Sequence, residues 1–61
     1  MYTITEVMVE KCIAAMGSRI ADHAAAAQLG ESLIDTAGTF PTATAAAGYV
    51  SCILWNSGLV A

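Results

Sequence analysis

The sequence predicts an all-α fold: a hairpin of two helices, over about residues 4–29 and 41–57, completed by oligomerisation. Three observations carry this expectation. Apolar residues recur at helical spacing in both stretches, turn-forming residues separate them, and charge is confined to the first. All seven formally charged side chains lie between Glu6 and Asp35, and none follows in the 26 residues from Thr36 to Ala61. At 61 residues the chain is one small unit, with a 30–40 connector and an uncharged 41–61 segment. A domain of this size buries only about 60% of its unfolded surface. Of its 57% hydrophobic letters, 13 residues are alanine and only 18 are Val, Ile, Leu, Met, Phe or Trp. A core this thin predicts that the uncharged half is covered by something else.

The first helix begins at a threonine. Thr3 or Thr5 can cap it, and Thr3 with Glu6 matches a capping box. At 100° per residue, Met8, Val9, Cys12, Ile13, Met16, Ile20, His23 and Ala27 share a broad face. Glu6, Glu10, Lys11, Ser18, Asp22 and Gln28 take the remainder, and Val7 alone sits among the polar positions. Ala24 to Ala27 adds strong helix formers, while Gly17-Ser18 is the weak point at which the helix can bend. Gly30 reads as the stop.

Residues 30–40 form the connector, with a short helical turn at 31–35, and Gly38-Thr39-Phe40-Pro41 punctuates it. In the second helix Ala43, Ala46, Ala47, Val50, Ile53 and Leu54 make an apolar face, opposite a ridge of Thr44, Gly48, Cys52 and Asn56 at four-residue spacing. Small residues in a ridge allow another helix to approach closely. Tyr49 to Trp55 is also rich in strand-favouring residues, so a strand there is the rival to the preferred helix.

Composition and motifs exclude several function classes. Two basic side chains cannot neutralise a phosphate backbone, so no nucleic-acid partner is expected. Met1-Tyr2-Thr3-Ile4 has no basic n-region, so a cleaved secretory signal is not expected. Residues 40–61 approach bilayer length, but Thr42, Thr44, Gly48, Ser51 and Asn56 dilute them. Membrane contact stays open; a single-pass anchor is not expected. No Gly-rich phosphate loop, HExxH, CxxC or nucleophile elbow occurs, and no enzyme activity is expected.

His23, the only histidine, is read as an edge residue in preference to a metal or pigment ligand. Met8, Cys12 and Met16 stack four apart; soft metal ligation is the sharp reading, core packing the ordinary one. No cofactor or metal is expected. In a hairpin Cys12 and Cys52 fall at different heights, roughly 27 and 16 Å from the turn at 1.5 Å per residue, so free thiols are expected.

The function expected is that of a structural, self-assembling subunit, forming a homo-oligomer or joining a larger assembly. The partner-facing residues would be Met8, Cys12, Met16 and Ile20 on the first helix, and Gly48, Tyr49, Cys52 and Trp55 on the second. Two other readings are kept. One is a precursor of a modified peptide, with a leader of about 1–38 and a core of 39–61. The other is a membrane-active peptide, which a net charge of −3 disfavours.

Overall fold

A computed structural model describes all residues 1–61. Thr5, not Thr3, starts the first helix. Its extended backbone and its Oγ1, which accepts a hydrogen bond from Met8 N at 3.2 Å, cap α1 (Glu6–Met16). Thr3 lies instead in a two-residue strand, β1 (Tyr2–Thr3), which pairs antiparallel with β2 (Thr39–Phe40) in the register Tyr2 with Phe40 and Thr3 with Thr39.

The single helix expected over 4–29 is two helices. Gly17 takes φ +56°, a left-handed backbone that L side chains rarely adopt, and a 3₁₀ turn follows at Gly17–Arg19. Ile20 is extended and buried, and Asp22 starts α2 (His23–Thr36), its Oδ1 accepting from Ala25 N at 3.1 Å. Gly30 is therefore not a stop. It is a buried interior residue of α2 at the closest approach to α1, where an added Cβ would overlap Val9 Cγ1. The connector shrinks accordingly to residues 37–42.

Thr42 caps α3 (Ala43–Asn56) through a 3.0 Å bond from Ala45 N, so Tyr49 to Trp55 is helical rather than a strand. The result is three helices with a small sheet, not a two-helix hairpin. Both chain ends are tied to interhelical connectors. β1 pairs with the α2–α3 connector, while Val60 bridges Ile20 of the α1–α2 connector. There Ala21 N donates to Leu59 O, and Ala61 N to Arg19 O, each at 2.8 Å.

Nine buried apolar residues form the core: Ile4, Val9, Cys12, Ile20, Ala26, Leu33, Ala46, Val50 and Leu54. The two largest fully buried side chains, Val50 and Leu54, belong to α3. The radius of gyration is 10.6 Å, and a globule of this length is expected at about 10.5 Å. A single chain thus covers one side of its own charge-free half. No helix is long and apolar enough to cross a membrane.

Candidate interaction surface

Between α1 and α3 the packing is incomplete, because the facing residues are small. Ala15 of α1 and Ala43, Ala47 and Ser51 of α3 leave an open groove of about 530 Å³. Buried Cys12 forms part of its floor, with its Sγ 3.8 Å from Ala47 O as a weak donor. Met8 lies half-buried beside it, and Val7, 59% exposed, stands at the rim. Thr5, Thr44 and Ser51 also line it, and Lys11 is its one charged member. Its titratable lining residues are Lys11 and Cys12, the latter a buried thiol. What it offers is apolar area beside a few hydroxyls.

Acidic groups gather elsewhere. Glu6, Glu10 and Glu31 line a smaller cleft of about 70 Å³ between α1 and α2, around Val9, Ile13, Ala27 and Ile34. Asp22 caps α2, and Asp35 lies on its exposed side. The outer side of α3 continues the groove without a single charged residue. Tyr49 and Trp55 are 40% and 46% exposed there. Tyr49 leans on Phe40, ring centroids 5.2 Å apart, which links this side to the sheet. Arg19 lies 5.9 Å from the Trp55 ring centroid, an attraction between a cation and the electron-rich ring face.

The eight residues expected to face a partner divide by helix. Cys12 and Ile20 are buried and Met8 and Met16 half-buried, all packed within this chain's own core. Gly48, Tyr49, Cys52 and Trp55 are all exposed on α3. Cys12 and Cys52 are unpaired, one buried and one exposed. Asn56 Nδ2 donates to Cys52 O at 3.0 Å and lies 3.4 Å from its Sγ. His23 is exposed at the first turn of α2, off the apolar face that a continuous helix would have given it. No three His, Cys, Asp or Glu side chains come together as a metal-ligand set.

Thr44 belongs to the small-residue ridge expected of this helix, whereas Val7, Lys11, Ala15 and Ser51 are groove-lining residues that the sequence pattern did not bring forward as partner-facing. Val7 was the usable signal, an apolar residue stranded among Glu6, Glu10 and Lys11. Comparison with protein-family models, curated proteins and solved structures finds no match.

Proposed function

We propose that this chain is a non-enzymatic structural subunit that assembles with copies of itself through its uncharged C-terminal half. The observation that carries the reading is the continuous surface free of carboxylates formed by the outer side of α3 and the adjoining α1–α3 groove. Apolar area rimmed by polar groups marks protein contact sites on small domains. Charged residues, which are depleted at the centres of interfaces, are here kept to other faces apart from Lys11 and Arg19 at the margins. Sedimentation velocity over a dilution series, without detergent, tests this directly. A mass that rises with concentration is expected, and a monomer persisting to millimolar concentration rejects the reading.

The precursor-peptide alternative places its cleavage near residue 38. A cut there would separate α3, with fully buried Val50 and Leu54, from the helices that cover it. The intact mass of native material distinguishes the two: the full-length mass supports assembly, and the mass of residues 39–61 alone supports processing.

A further inference from the structure

Four positions of α3 recur along one line: Thr44, Gly48, Ser51 and Trp55, at i, i+4, i+7 and i+11. At 100° per residue they fall within an arc of about 60°, the spacing by which one helix packs along another. Thr44 and Ser51 line the groove, a Cβ at Gly48 would meet nothing within 4 Å, and Trp55 stands 46% exposed. Three of these residues are small. The one large residue sits at the C-terminal end, seven residues beyond Gly48, or about 10.5 Å along the axis. Reversing the direction of the helix therefore places large against small. An antiparallel copy centred between Gly48 and Ser51 sets Trp55 of each chain opposite Thr44 of the other, and Ser51 opposite Gly48.

The geometry points to a second copy of this chain as the occupant of the groove, packed by an antiparallel α3–α3 contact about a two-fold axis between Gly48 and Ser51. Trp55 of each copy seats beside Thr44 at the other's groove. This deepens the assembly reading above and rests on it. A two-fold contact requires a self-complementary patch, and the pattern of one large and three small residues supplies one.

Charge favours the same occupant. Each chain carries a net charge of −3, yet its carboxylates lie on α1 and α2, three of them in the cleft between those helices. Two α3 faces can meet without opposing carboxylates. Lys11 is the one charge in the groove, and Trp55 arrives there with Arg19 already 5.9 Å from its ring centroid, so in the pair the indole lies between two cations. Area sets the extent of the contact. A stable pair takes about 800 Å² from each partner, about a fifth of this chain's 3754 Å². The α3 line must therefore be joined by the α1 wall of the groove, from Val7 to Ala15, with which it is continuous. Each seated indole belongs to the side-chain class that dominates interface energetics.

Trp55 is the only tryptophan, so its own emission reports the contact. Sedimentation velocity and Trp55 emission are measured together over a dilution series of the full chain. The same is done for Gly48→Leu, Thr44→Glu and Gln28→Leu, the last an exposed position on α2. In the parent, the emission shifts to the blue in step with the rise in mass. Gly48→Leu and Thr44→Glu each weaken association at least about tenfold. Neither lowers the helical signal: Gly48 has open space around it, and an acid in the first turn of α3 suits the helix dipole. Gln28→Leu associates as the parent does. Association with unchanged Trp55 emission, or undiminished in both α3 variants, overturns this pairing and leaves assembly to another face. A parent that stays monomeric at millimolar concentration overturns both.

Discussion

Replacing Gly30 with alanine puts a methyl group where Val9 already stands. Gly30 is buried inside α2, and a Cβ built there overlaps Val9 Cγ1 and lies 3.2 Å from Val9 Cβ and Cγ2. Val9 is 4% exposed, and a β-branched residue on a helix has one strongly preferred χ1, so it cannot turn aside at little cost. Two terms oppose each other. Alanine gains about 1 kcal/mol over glycine in a helix interior, and forcing a methyl group into a packed contact costs about 1–3 kcal/mol. Because the obstacle is a stiff side chain at a helix crossing, the cost falls in the upper part of that range, about 2–3 kcal/mol, and a net loss of about 1–2 kcal/mol is expected. For a domain this small that lowers Tm by about 4–16 °C.

Thermal and urea melts followed by circular dichroism measure the loss, and a double-mutant cycle identifies its cause. Val9→Ala alone removes two methyl groups from the core and should cost about 2–3 kcal/mol. With both changes, the alanine methyl at position 30 enters the space that Val9 vacates. The pair should then be about 1–3 kcal/mol more stable than the sum of the single changes. A Gly30→Ala protein at least as stable as the parent would falsify the close-approach argument. So would a cycle that closes additively within about 0.5 kcal/mol.

Gly17 and Gly48 both have open space where a Cβ would go, yet their alanine variants should move in opposite directions. Gly17→Ala should lose about 1–2 kcal/mol, because φ +56° suits only glycine; Gly48→Ala, in an ordinary helical turn, should gain about 0.5–1 kcal/mol. Chemical denaturation of the two variants side by side, under monomeric conditions, checks the signs. Asp22→Ala removes the acceptor for Ala25 N and should cost about 0.5–2 kcal/mol, with faster amide exchange in the first turn of α2. Native-state thiol titration should find one fast-reacting cysteine, exposed Cys52, with buried Cys12 reacting only on unfolding. Two equally fast thiols would contradict that burial.

The third helix was legible because its signals are local. Pro41 and Thr42 mark its start, and the expected face includes Ala46, Val50 and Leu54, all fully buried. The break in the first segment was harder to read. Residues before and after Gly17 keep a common apolar phase, and a helical wheel does not register one reversed φ between them. The telling residue was Asp22, an N-cap ahead of four alanines, which the wheel placed on a polar face. Gly30 misled for a related reason. A missing Cβ serves a helix end and a close helix crossing equally well, and only the position of Val9 decides between them. The two β pairings involve too few residues to leave a periodic signal. The groove was hidden because small residues on α1 and α3 became a surface feature only once folding set them side by side.

The charge-free half can now be divided. The sequence alone predicts that residues 36–61 as a whole need cover, which would make folding and assembly one event. In the fold, α1 and α2 already cover Ala46, Val50 and Leu54. Only the outer side, from Thr44 to Trp55, is left exposed, and it carries no charged residue of its own. Association of the proposed kind is then a second equilibrium laid over an already folded chain, and it stabilises that chain only by mass action. The Tm of the parent should rise modestly with protein concentration. In Gly48→Leu the concentration dependence should vanish while the Tm at high dilution holds or increases. A protein whose helices form only as it assembles would lose both together, so this pair of measurements separates a folded subunit that associates from a chain that needs its partner in order to fold.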